Sequence, residues 1–189
     1  MILLLLTLIA FAVVHLAPAV PRYKAAAKAR LGKAYGALYG LASLLLLAAA
    51  IWALRAADAG PLYDVPAWGR HANYLLTLIA FIFVGIFLFR GSWRNSLRFP
   101  MALATTFWAT GHLLANGDTR TTLFFAGFLV IGLVHAWLLS LDTTRPPSDE
   151  RAGHNFMSVI AGLALYGVMV QLHEVLIGVP VFNLAAFSH

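Results

Sequence analysis

Six stretches of predominantly apolar residues, approximately 2–20, 34–55, 69–90, 99–116, 120–141 and 154–178, recur along the chain with short polar gaps between them. Each is near the ~20 residues that an α-helix, rising ~1.5 Å per residue, needs to cross the hydrocarbon of a bilayer. No alternation of polar and apolar residues marks barrel strands, so helices are the remaining way for the backbone to satisfy its hydrogen bonds in lipid. The pattern predicts an all-α fold: a polytopic membrane protein built as a six-transmembrane-helix bundle, residues 1–189 forming a single domain. Composition agrees, because only 11% of the residues are charged against about 25% in soluble domains.

The formal net charge of +6 does not imply nucleic acid as a partner, since the basic residues fall in the gaps between apolar runs. Arg22, Lys24, Lys28, Arg30 and Lys33 follow the first run, Arg90, Arg94 and Arg98 the third, and Arg145 and Arg151 the fifth. The alternate gaps hold Arg55, Arg70 and Arg120. By the positive-inside rule the first, third and fifth gaps are cytoplasmic and both termini face the outside. The start of the chain lacks the leading basic cluster of a cleaved signal, so 2–20 reads as a retained span. The lipid bilayer is the partner this pattern requires.

Several local features read as packing or punctuation. Gly32, Gly36 and Gly40 recur every four residues, a ridge that would let another helix approach closely or a bundle dimerise. Trp52, Trp68, Tyr74 and Trp93 fall near predicted span ends, as interfacial aromatics do. Pro100 suits a first helical turn, Asn116-Gly117 suits a stop, and Asp118 or Thr119 can cap the next helix. Asp118 and Arg120 could alternatively touch a ligand's polar edge. Residues 57–68 read as a turn-rich connector without a site, and residues 142–153, with Pro146-Pro147, as a solvated cytoplasmic loop.

Cysteine is absent, which removes disulfides and thiolate ligands. Chemistry therefore rests on the histidines. His154 and His189 are expected to be solvated. His71, His112 and His173 share a depth near the outer ends of their spans, while His15 and His135 lie toward the cytoplasmic ends of theirs. An ionisable group inside a span is costly unless partnered, and is a functional candidate for that reason. A lone membrane histidine can simply bridge two helices. Three at one level point to metal or haem, because neutral imidazole is the commonest metal ligand and histidines on facing helices hold haem iron. Carboxylates are scarce at that level, Glu174 and Asp118 being nearest, which disfavours di-iron carboxylate or calcium sites. Zinc on three histidines stays open beside haem b.

Arg98-Phe99-Pro100-Met101 and the stretch Trp108-Ala109-Thr110-Gly111-His112-Leu113-Leu114-Ala115-Asn116-Gly117-Asp118 resemble the NnrU family of bacterial membrane proteins, whose pattern runs approximately RHPM and WALAHLLANGD. Arg30-Leu31-Gly32 with Tyr39, Trp68 with His71, and Leu172-His173 followed by Gly178-Val179-Pro180-Val181-Phe182 extend the resemblance over most of the chain. It implies a six-helix inner-membrane protein associated with denitrification and with nitrite and nitric oxide reductase expression. The family is also similar to the plant zeta-carotene isomerase, a haem b enzyme with two histidine ligands. Carried over by position, those ligands fall on His112 and His15, whereas depth prefers His173 or His71 as the partner of His112.

Two departures limit the transfer. Phe99 stands where the family has histidine between Arg and Pro, and the isomerase's cysteine shortly before its equivalent of His112 has no counterpart here, which excludes a thiolate-for-imidazole exchange on iron. The expected function is a haem b-binding membrane protein of nitrogen-oxide metabolism, sensing redox state or nitric oxide or assisting reductase maturation. A haem-dependent polyene cis–trans isomerase and a cofactor-free assembly subunit of a membrane reductase complex are the alternatives, and whether the protein is an enzyme stays open.

Overall fold

A computed structural model describes residues 1–142 and 147–181. Arg145, Pro146, Phe182 and His189 lie outside the described residues. All six apolar runs are helical: α1 Ile2–Leu16, α3 Tyr35–Ala56, α4 Gly69–Leu88, α6 Pro100–Ala115, α7 Thr119–Leu141 and α8 His154–Ile177. Two smaller helices, α2 Pro21–Leu31 and α5 Ser92–Leu97, occupy the basic gaps after the first and third apolar runs. Among the described residues, five helical segments are long and apolar enough to cross a membrane. The helices α1, with 15 residues, and α6, with 16, are the shortest of the six, at roughly 22–24 Å. Helix α6 starts at Pro100, as its sequence predicts.

The helices pack in single file, α8 on α4, α4 on α6, α6 on α7, α7 on α1 and α1 on α3. Arg55, at the end of α3, closes the file by donating to the carbonyls of Leu176 at 3.0 Å and Val175 at 3.5 Å on α8. Glycines set the close crossings. A Cβ on Gly69 would collide with the Leu114 carbonyl, one on Gly85 with that of Ser158, and one on Gly162 would fall 2.7 Å from Ile82 Cα. Backbones can approach this closely only where no side chain intervenes. Between α1, α3 and α7 lies the densest apolar core, with Leu4, Leu8, Phe11, Ala50, Ala53, Phe124 and Phe128 all buried.

The Gly32, Gly36 and Gly40 ridge does not act this way. Gly32 lies outside α3 with φ +54°, and a Cβ on any of the three meets nothing within 4 Å. Small residues permit an approach; they do not supply the opposing helix. Trp52, Trp68 and Trp93 are exposed, as anchors would be, whereas the Tyr74 hydroxyl donates to the Val181 carbonyl at 3.1 Å.

At the end of the bundle that carries most of the basic residues, the backbone is tied together by side chains. His154, expected to be solvated, accepts a hydrogen bond from Arg90 N at 3.0 Å through Nδ1 and meets Phe89 edge-on. Asn95 binds the 148–150 segment, donating to Ser148 O and Glu150 and accepting from Ser148 N. That part of the expected solvated loop is therefore pinned to α5.

Candidate functional site

The stretch from Trp108 to Asp118 forms one continuous chain of hydrogen bonds. His112 Nδ1 lies 2.9 Å from the Trp108 carbonyl one turn back, and a carbonyl can only accept, so Nδ1 carries the proton and Nε2 keeps its lone pair. Asn116 Nδ2 donates to the His112 carbonyl at 2.8 Å. The Tyr63 hydroxyl, from the connector, sits between the carbonyls of Asn116, at 2.7 Å, and Leu113. Those carbonyls belong to the last turn of α6, where no following residue donates to them. The imidazole stacks on Phe125 of α7 with ring centres 4.3 Å apart and lies 5.2 Å from Trp108.

The connector of residues 57–68 is part of this construction. Leu62 N and Tyr63 N donate to Gly117 O, Thr119 N donates to Gly60 O, and Gly60 N donates to Thr119 Oγ1. Asp118 caps α7, accepting from the backbone N–H groups of Arg120 and Thr121 and from the Thr121 hydroxyl at 2.6 Å. Burial pushes its carboxyl up, but the hydrogen bonds from Thr121 and the nearby Arg120 outweigh that and hold it below the ordinary carboxylate value. Arg120 lies 3.7 Å from Asp118 and donates to Ala57 O at 3.4 Å. Both residues are thus engaged in structure.

His15 is built differently, from three helices. Its ring stacks on Phe11 of α1 at 4.9 Å and meets His135 of α7 edge-on at 5.6 Å. The Tyr39 hydroxyl of α3 lies 3.3 Å from His15 Nδ1 and 3.2 Å from its carbonyl. Donating to the carbonyl, that hydroxyl can accept from Nδ1–H, which again leaves Nε2 with its lone pair. Between His15 and His112 runs a file of aromatic rings: Phe11 to Phe128 at 5.2 Å, Phe128 to Trp108 at 5.3 Å.

His173 lies on α8, and its Nδ1 is 2.6 Å from the Val179 carbonyl. His71 is exposed, beside Tyr74, at a groove walled by Val65, Pro66, Arg70 and Ala115. Among the described residues no three His, Cys, Asp or Glu side chains gather to hold a metal ion, which removes support for zinc on His71, His112 and His173 together. Equal depth along separate helices does not fix which way each side chain points. Sequence reasoning missed Tyr63 and Phe125, and it met Tyr39 only as part of the family resemblance, not as a partner of His15. For Tyr63 the only signal was a tyrosine in a connector of fixed short length; for Phe125 there was none.

The comparisons bear on these same residues. Neither a curated protein nor a solved structure matches the chain. The family model described as NnrU protein matches residues 3–181, which takes in His15, the whole Trp108 to Asp118 hydrogen-bond chain and His173. With nearly its full length matched in one register, this multi-pass membrane protein belongs to the NnrU family.

Proposed function

We propose that the protein binds haem b in the membrane through His112 and serves nitrogen-oxide metabolism as a redox or nitric oxide sensor or a reductase-maturation factor. The carrying observation is the 2.9 Å approach of His112 Nδ1 to the Trp108 carbonyl, which in a neutral ring spends Nδ1–H there and leaves the Nε2 lone pair for a metal. An axial histidine is normally held in this way, its other nitrogen donating to a carbonyl, carboxylate or water. His15 and His173 meet the same requirement. The second ligand is drawn from these two: family resemblance favours His15 and shared depth along the spans favours His173. His71, exposed beside its groove, ranks behind both.

Haem when bound supplies a redox-active iron. The chain's own contribution is to fix the imidazole by the Trp108 carbonyl and the Phe125 face, and to keep water from it with the aromatic residues around Trp108. The basic gaps support placement in a bacterial inner membrane with both termini periplasmic.

The test is the absorption spectrum of the full chain expressed with haem supply, with haem quantified as the pyridine haemochrome. A Soret band at about one haem per chain is expected. His112→Ala should abolish it while the protein still elutes as a monodisperse, helical species, and added imidazole should restore part of it. Of His15→Ala and His173→Ala, the one that shifts the ferric spectrum identifies the second ligand. Protein without haem, or His112→Ala with an unchanged spectrum, rejects the reading.

A further inference from the structure

Helix α2 poses a physical problem that no contact within the chain solves. It has 11 residues and buries none of them, and helices shorter than about 12–15 residues are marginal in water on their own. Among the described residues its main contacts are with the adjoining turns and α3. Its limits are nonetheless sharp: Pro21 occupies the first turn after an extended Val20, and Gly32 ends it at φ +54°.

Among the described residues its cations have no carboxylate partner either. Arg22, Lys24, Lys28 and Arg30 lie on it and Lys33 directly follows, yet the chain contains no Asp or Glu before Asp58. The Arg22 guanidinium sits 4.7 Å over the ring of Tyr23, which is itself exposed. Cations surround the helix rather than forming one stripe, so a neighbouring protein helix with a single acidic face would neutralise only part of them.

Position decides what does neutralise them. Short 3₁₀ turns separate α2 from the apolar helices, Ala17–Ala19 with Val20 on the α1 side and Gly32–Ala34 on the α3 side. At about 2 Å per residue in a 3₁₀ turn, neither tether carries α2 far from the ends of those helices. We propose that α2 is an interfacial helix that binds anionic phospholipid headgroups, its four cations and Lys33 pairing with lipid phosphates and its Tyr23 seated at the same level. Basic segments beside a span are attracted to anionic lipid in this manner, and tyrosine is enriched at that depth. Lipid then supplies the partner that an 11-residue helix needs.

The probe is phosphatidylglycerol, compared with phosphatidylcholine, in mixed micelles with the full chain, retained lipids being counted by native mass spectrometry. The natural chain should retain phosphatidylglycerol preferentially. In Lys24→Gln/Lys28→Gln/Arg30→Gln, which keeps helix propensity, the preference should fall about tenfold or more. Raising the salt to about 0.5 M should weaken it in the natural chain. Lys24→Arg/Lys28→Arg should keep it, as should Arg70→Gln at the opposite end of the bundle. A natural chain that holds both lipids equally, or a triple Gln variant with undiminished preference, overturns the proposal. So does a chain indifferent to lipid charge that binds a polyglutamate peptide through the same residues, which would assign α2 to an acidic protein partner.

Discussion

The two histidine sites at opposite ends of the bundle are assembled by opposite means. His112 is wired within its own helix, through the carbonyl of Trp108 one turn back and the amide of Asn116 one turn ahead, and only then to the connector through Tyr63. His15 takes its partners from elsewhere, Tyr39 of α3 and His135 of α7. A site made of residues four apart keeps its geometry as long as its helix exists. A site made of three helices keeps it only as long as they stay packed.

Glycines at the two ends should separate these situations most strongly. Gly69→Ala drives a methyl group into the Leu114 backbone beside the His112 stretch, and neither α4 nor α6 can yield locally. A cost of about 2–3 kcal/mol is expected, as for other overpacked interiors. Gly36→Ala, near the His15 end, meets open space and should instead stabilise α3 by about 0.5–1 kcal/mol through helix propensity. Reversible denaturation in detergent, followed by helicity, reads both. Equal effects at the two positions would mean that Gly36 is covered by another copy or by tightly held lipid.

The same contrast explains what the sequence discloses. Span positions follow from runs of apolar residues, and Pro100, Asn116-Gly117 and Asp118 act at the positions their local chemistry assigns. His112 announces itself because its motif is contiguous. Tyr39, 24 residues from His15, belongs to its site only through the packing of α1 on α3, which no local rule encodes. Helix α2 was hidden for another reason: its lysines and arginines, read for topology, obscured that Lys, Arg and Ala are also strong helix formers.

Asp118 offers a smaller effect with a definite pH dependence. Replacing the cap by Ala should cost about 1 kcal/mol at neutral pH. Its folded-state pKa is depressed, so the contribution is complete above the ordinary carboxylate value and is lost as pH falls through the folded-state value. The stability difference between the natural chain and Asp118→Ala should therefore narrow on acidification, with no narrowing between pH 6 and 8. A difference that stays constant into strong acid would assign the cap to the Thr121 hydroxyl rather than to the charge.

The smallest effects sharpen the comparison furthest. Tyr63→Phe removes the donor that serves the last carbonyls of α6 and should cost about 1 kcal/mol. Tyr39→Phe removes both hydrogen bonds of that hydroxyl to His15 inside the membrane, where interhelical hydrogen bonds average about 0.6 kcal/mol each. If the two ends are separate constructions, the double variant should be additive to within about 0.5 kcal/mol. Among the described residues the file Phe11, Phe128, Trp108 links the two ends by ring contacts. Packed rings shift together when one of them is displaced, because interiors have little free volume. A coupling energy above about 1 kcal/mol, well outside additivity, and abolished by Phe128→Leu, would show that the ends respond as one unit. The local wiring of His112 would then be a way of reporting the packing state of α1 and α3, rather than a protection from it.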